Sequence, residues 1–308
     1  MPILRDLFLA MSTNALMRRF VVSFPLSRRV SRRFVAGETI DEAIQIVKKL
    51  RAQGIEVTFD QLGESVTNEA EARAAKDGYL RALDAIATNQ VSSQLSLKLT
   101  QMGLDIRTDL CLANVHEILT RAREVGTLVT IDMEDSKHTQ ITLDVFKQLR
   151  AEFDNVGIVI QSYLYRSEQD FKDLMALDAN IRLCKGAYKE PATVAFPRKK
   201  DVDANLIKLA QLFFDSVHTH RAYLDLATHD EKIIRWAKQY VAMHNIPRQR
   251  FEFQMLYGIR SDLQRQLAAE GYTMRVYVPC GTHWYPYFMR RLAERPANVI
   301  FLVSNLFR

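Results

Sequence analysis

Asp60, Lys98, Asp132, Gln161, Arg182, Lys185, Thr228, His229, Gln254 and Tyr277 each stand inside, or directly after, a short apolar strand-like run. A strand serving only the core has no need of such groups, because a charge taken out of water is costly unless it is paired or holds a ligand. The cations Lys98, Arg182 and Lys185, joined by the adjacent Arg290 and Arg291, face Asp132 as the main acid expected among them. A surplus of positive charge suits an anionic ligand: a phosphate, a carboxylate or a reduced flavin. Neighbouring arginines add a planar fork that grips a carboxylate at two points, which lysine cannot do.

Other chemistries have weaker claims. A strand lysine, Lys98 or Lys185, could be the Schiff-base nucleophile of a cofactor-free lyase or aldolase, provided that it is desolvated and uncharged. His218 and His220 form an HxH pair, but a helix puts them on different faces and no third ligand is evident, so no metal is expected. Cys111, Cys184 and Cys280 lack CxxC spacing and fit a reduced, cytoplasmic protein. GxSxG, P-loop and HExxH patterns are absent. A non-enzymatic reading, a barrel that binds a membrane or a partner through its N-terminal segment, has no residue pattern in its favour.

The elements that must carry these residues recur eight times. EVTFDQLG (56–63) precedes a helix near 68–88, SLKLTQMG (96–103) one near 109–125, and LVTIDMED (128–135) one near 138–152. VGIVIQSYL (156–164) leads to 167–177, IRLCKGAY (181–188) to 201–217, and AYLDLATHD (222–230) to 230–244. FEFQMLYG (251–258) leads to 261–270, and MRVYVPCG (274–281) to 285–294. Alternating strands and helices imply parallel pairing through right-handed crossovers. Eight units, without a GxGxxG after the first strand, predict a closed (β/α)8 barrel of the α/β class, not an open dinucleotide-binding sheet. In such a barrel the strands' C-terminal ends and following loops form the active site, which is where the polar residues fall. Ahead of the first strand, Thr39 to Glu42 reads as a capping box opening one more helix.

The 308 residues therefore divide into an N-terminal helical arm, 1–40, and a barrel, 41–308. Residues 1–35 hold seven arginines against Asp6 alone, which accounts for the whole net charge of +6; the rest carries 35 basic and 35 acidic side chains. The arm is a pair of helices docked on the barrel with solvated arginines, a targeting peptide, or an amphipathic contact with anionic lipid. No stretch approaches the ~20 apolar residues of a membrane span, and no nucleic-acid-binding motif is present.

The runs VTIDMED, IRLCKGAYKEP, ATHD, FEFQMLYG, RVYVPCG and WYPYFMRRLAERPANV, in this order, resemble the proline dehydrogenase family, most closely its short monofunctional bacterial members. The likeness covers about residues 55–308 and implies a distorted (β/α)8 TIM-type barrel holding FAD non-covalently. The implied reaction takes L-proline to Δ1-pyrroline-5-carboxylate by hydride transfer to flavin N5, with electrons passed to a membrane quinone. By similarity Lys98, Arg290 and Arg291 bind the proline carboxylate, Asp132 pairs with Lys98, and Tyr188, Leu256 and Tyr277 line the ring. Arg182 stabilises developing charge. Met133, Gln161, Arg182, Lys185, Gly186, Ala187, Thr228 and His229 contact the flavin, with Glu252 and Gln254 nearby. Glu64 would pair with Arg291 as a gate. The resemblance places the protein in the cytoplasm, peripheral on the inner face of the membrane.

Overall fold

The computed structural model describes residues 31–63 and 66–294; the arm before residue 31 and Glu64 lie outside them. Helix α1 (Ile40–Arg51) precedes eight strand–helix units. These are β1 (Glu56–Gln61) with α2 (Glu69–Thr88), β2 (Gln94–Leu97) with α3 (Thr108–Val125), β3 (Val129–Ile131) with α4 (Thr139–Arg150), and β4 (Val156–Gln161) with α5 (Ser167–Ala176). Then come β5 (Asn180–Cys184) with α6 (Lys199–Asp215), β6 (Tyr223–Ala227) with α7 (Glu231–Met243), β7 (Phe251–Leu256) with α8 (Ser261–Ala269), and β8 (Met274–Cys280) with α9 (Trp284–Glu294). All strands pair in parallel, and β8 returns to β1 to close the barrel.

The strands alternate, although parallel strands buried on both faces usually read as continuous apolar runs. Val57, Phe59, Leu95, Leu97, Val129, Ile131, Ile181, Leu183, Leu224, Leu226, Val276 and Val278 are buried and belong to one continuous apolar core with the helices. The intervening residues face the barrel axis and are largely polar: Thr58, Asp60, Ser96, Thr130, Arg182, Asp225, Glu252, Gln254 and Arg275 are all buried. Barrel interiors are ordinarily filled by branched apolar side chains. Here the apolar core lies outside the sheet and a hydrogen-bonded polar core inside it.

The capping box is present. Thr39 Oγ1 accepts from the Glu42 N–H, and Glu42 Oε2 accepts from the N–H groups of Glu38 and Thr39. The described residues just before it, 34–38, form a strap tied to the barrel. Ala36 N–H donates to Pro279 O, Gly281 N–H to Gly37 O, and Trp284 Nε1 to Glu38 Oε1. Phe34 and Val35 pack with Leu62, Ile259, Trp284 and Phe288 in a second apolar cluster. Gly258 (φ +74°) lets the strap cross, since a Cβ there would lie 1.7 Å from Arg33 O.

Candidate active site

Four strands bring their charges together at the C-terminal end of the barrel. Lys98, one residue beyond β2, lies with its Nζ 3.5 Å from Asp132 Oδ2 and 3.9 Å from Asp60 Oδ1. Arg182 reaches across from β5, and its Nη1 donates to Asp132 Oδ1 and Ser96 Oγ, both at 2.9 Å. Tyr277 of β8 donates its hydroxyl to Asp132 Oδ2 at 2.8 Å, and its ring lies 5.3 Å below the Arg182 guanidinium carbon. Asp132 thus holds Lys98, Arg182 and Tyr277 at once.

The electrostatics separate the two carboxylates. Burial would push Asp132 up, but Lys98, then Arg182, and hydrogen bonds from Ser96 and Tyr277 more than reverse it, leaving its pKa below the ordinary value. Asp60 is dominated by burial, which Lys98 only partly offsets, so its pKa is raised. Burial lowers the Lys98 ammonium, yet Asp60 and Asp132 outweigh that and raise it. Burial and Asp132 hold the Tyr277 phenol well above its usual range, as a donor. Lys98 is therefore a cation, unsuited to Schiff-base attack. Lys185 is clamped by Asp203 at 2.6 Å and Asp230 at 2.8 Å.

The loops above are braced to one another. Thr100, after β2, donates its N–H and hydroxyl to the two Glu134 oxygens at 3.1 and 2.7 Å. Ser136 donates its N–H and hydroxyl to Glu190 at 2.7 and 2.5 Å, tying the loop that follows Met133 to the loop carrying Lys185–Tyr188. Gly186 (φ +103°) takes a backbone angle L side chains avoid, and a Cβ there would stand 2.4 Å from the Tyr163 ring. Ala187 and Tyr188 are exposed at this edge.

Of the residues expected to meet a flavin, Met133, Gln161, Thr228 and Gln254 are buried around the mouth. Gln161 Nε2 donates to Met133 O, and His229 Nε2 accepts from the Leu256 N–H at 2.9 Å. Thr228 Oγ1 accepts from the N–H of Asp230, the cap of α7. Glu252 is different. It lies deeper, two residues before Gln254 on the same face of β7, with both oxygens taken by Arg275 at 2.6 and 3.0 Å. Its link to the mouth runs through Gln254, not through direct contact. Arg290 and Arg291 both lie on α9, and the Arg291 guanidinium sits 5.0 Å from the Tyr287 ring; the Arg290 side chain and Glu64 fall outside the described residues.

Ser96, Arg275, Glu134 and Glu190 were not singled out from the sequence. Ser96 and Arg275 precede Lys98 and Tyr277 by two residues each, so strand alternation alone carried their signal. Glu134 and Glu190 sit in loops, where spacing gives no comparable guide.

Among the described residues, Arg182 Nη2 and Gln161 Oε1 are buried polar atoms without a hydrogen-bond partner. A buried donor and a buried acceptor left so are each costly, and each fits a ligand group that supplies the missing partner. A surface hollow of about 730 Å³, lined by Arg150, Phe153, Asp173 and Leu177 among others, opens at the opposite end of the barrel and shares none of these groups.

A family profile described as proline dehydrogenase matches residues 43–304. Proline dehydrogenase 1 of Bacillus subtilis (strain 168) is 47% identical over 305 residues, covering 99% of each chain. The proline dehydrogenase of Deinococcus radiodurans is 44% identical over 284 residues, 91% of this chain and 90% of that one. Among solved structures, proline utilization A from Bdellovibrio bacteriovorus, inactivated by N-propargylglycine, matches with a TM-score of 0.80 at 26% identity. The match covers 86% of this chain and 32% of the other, so this chain spans about a third of that protein.

Proposed function

The chain belongs to the proline dehydrogenase family, and from that premise we propose that its barrel mouth oxidises L-proline to Δ1-pyrroline-5-carboxylate with non-covalently bound FAD. The observation that carries this reading is the Lys98–Asp132–Arg182–Tyr277 constellation, with Arg182 Nη2 and Gln161 Oε1 buried and unpartnered. When bound, the flavin supplies the two-electron acceptor, and the chain's own residues supply orientation and electrostatics.

Lys98, with Arg290 and Arg291, grips the substrate carboxylate and fixes which ring carbon is presented. Leu256, Tyr277 and Tyr188 pack the ring, while Asp132 keeps Lys98, Arg182 and Tyr277 in register. Arg182 places its guanidinium where negative charge develops, in a site whose burial strengthens the interaction. Met133, Gln161, Lys185, Gly186, Ala187, Thr228, His229 and Gln254 would hold the cofactor. Lys185, fixed by Asp203 and Asp230, presents its charge there in one position.

Electrons leave to a membrane quinone on this reading, and the enzyme works as a peripheral protein on the cytoplasmic face. The arginines of residues 1–35 support a contact with anionic lipid. No helix among the described residues is long and apolar enough to cross a membrane. Removing residues 1–30, which leaves the strap intact, should weaken co-sedimentation with anionic vesicles; unchanged binding would make the arm structural.

The decisive experiment is the anaerobic absorbance spectrum of purified protein before and after L-proline. Flavin bands that bleach are expected. Bands that persist would reject proline as the reductant, and no bands after reconstitution with FAD would reject the cofactor.

A further inference from the structure

We infer that Glu252 and Arg275 are a buried positioning pair that acts through Gln254 to fix the Arg182 guanidinium, an inference that rests on the role proposed for Arg182 above. Four side chains, each at most 7% exposed, form one uninterrupted chain from mid-barrel to the mouth. Arg275 is anchored first, Nη1 donating to Val57 O at 2.9 Å. Its Nε and Nη2 then donate to Glu252 Oε1 and Oε2. Glu252 Oε1 also accepts from Gln254 Nε2 at 2.7 Å, and Gln254 Oε1 accepts from Arg182 Nε at 2.7 Å.

The hydrogen-bond inventory makes this chain directional. Arg182 has only donors, so the Gln254 end facing it must be the oxygen. Both Glu252 oxygens accept from the Arg275 guanidinium, which has only donors, so Oε1 acts as an acceptor and the Gln254 end facing it must be the nitrogen. The amide is thereby defined from both sides and cannot flip without losing both bonds. Arg182 is then held on two edges, Nε from below by Gln254 and Nη1 from the side by Asp132 and Ser96. Two bonded edges fix the plane of a guanidinium, and with it the direction of Nη2.

Glu252 and Arg275 do not reach the mouth themselves. Two residues of strand separate Glu252 from Gln254, a rise of about 7 Å. A barrel could fill this level with apolar side chains, and exchanging a buried ion pair for well-packed apolar residues is often neutral or stabilising. Orientation of Arg182 is what the pair adds that apolar packing does not.

The test compares Glu252→Met/Arg275→Met, which removes both charges together, with Gln254→Met and with the triple variant, all as flavin-loaded protein. Each should bind proline with KM within about threefold of wild type, while kcat falls about ten- to a hundredfold, the scale of a small misplacement. The midpoint potential of the bound flavin should shift in the same direction in all three. The triple variant should lose no more kcat than Gln254→Met alone, because the pair acts only through Gln254. If the apolar pair does not fold, Glu252→Gln, which frees the Gln254 amide to turn, is read by the same measures. Lowered thermal stability with unchanged kcat and potential would make the pair merely structural and overturn the inference, as would full additivity in the triple variant. A wild-type flavin that proline does not bleach would sink the substrate reading instead, and the potential shift still decides the relay.

Discussion

Arg182 and Asp132 meet across the barrel, from β5 and from the end of β3, with Arg182 Nη1 2.9 Å from Asp132 Oδ1. The same carboxylate oxygen accepts the Ser96 hydroxyl at 2.7 Å, and Ser96 Oγ in turn accepts from Arg182 Nη1. This triangle couples the residue proposed to stabilise developing charge to the one that anchors Lys98 and Tyr277. A disturbance at any corner reaches the whole mouth.

Ser96→Ala removes one corner at a side chain that is itself fully buried. Two charge-assisted hydrogen bonds are lost, of which water entering the gap restores part, so the net cost is about 1–2 kcal/mol. The kcat for proline should fall about five- to thirtyfold, with flavin content unchanged. A variant as fast as wild type would show that Asp132 orients Arg182 unaided.

Arg290→Ala and Arg291→Ala test the carboxylate grip. Losing a desolvated partner of a ligand carboxylate costs about 2–5 kcal/mol, so KM for proline should rise by at least an order of magnitude while flavin stays bound. Steady-state kinetics with L-proline settles it: unchanged KM in both variants would remove α9 from the substrate site.

The fold was legible because periodicity is a local property. Thr39 and Glu42 announced α1, and the eight strand–helix alternations recur in the observed order, with most bounds within a few residues and β2 ending at Leu97, six residues before the end of its run. Asp132 and Arg182 could be placed at one rim because barrel geometry puts every strand's C-terminal end there. What alternation alone did not disclose was depth. Gln254 and Glu252 share a face of β7, yet one faces Arg182 and the other is committed to Arg275 two residues lower. That difference depends on the stagger of β8 against β7, where Gln254 pairs with Arg275. The Ser136–Glu190 clasp was equally invisible, since it joins loops 54 residues apart.

His138, at the entrance to α4, sits between two carboxylates, Nε2 2.8 Å from Asp105 and Nδ1 2.7 Å from Asp135. Burial lowers its pKa, but the two bonds raise it further, and the folded value lies above 6.5. A raised histidine contributes stability that is fully present below the unfolded pKa and is lost as pH rises through the folded one. His138→Gln should therefore unfold at lower temperature than wild type at pH 6, and the gap should narrow by pH 9. A gap that widens with pH would contradict the clasp.

Asp225 carries the opposite chemistry at the level of Glu252, its strand neighbour on β7. It is fully buried, Asn180 Nδ2 donates to its Oδ1 at 3.3 Å, and its Oδ2 has no hydrogen-bond partner. Burial first, and then the Glu252 charge, push its pKa up to about 7. An acid raised in the folded state binds its proton more tightly there than in the unfolded chain. The fold is accordingly favoured at low pH, and that advantage drains away as pH rises from the ordinary value of 3.8 to about 7. Asp225→Asn keeps the acceptor for Asn180 and carries no charge at any pH. Its Tm relative to wild type should climb between pH 5 and pH 7 and level off above that, as calorimetry across the range would show. A difference that stays flat with pH would mean that Asp225 is already ionised at pH 5, with Arg275 and Arg182 neutralising it in place of a proton.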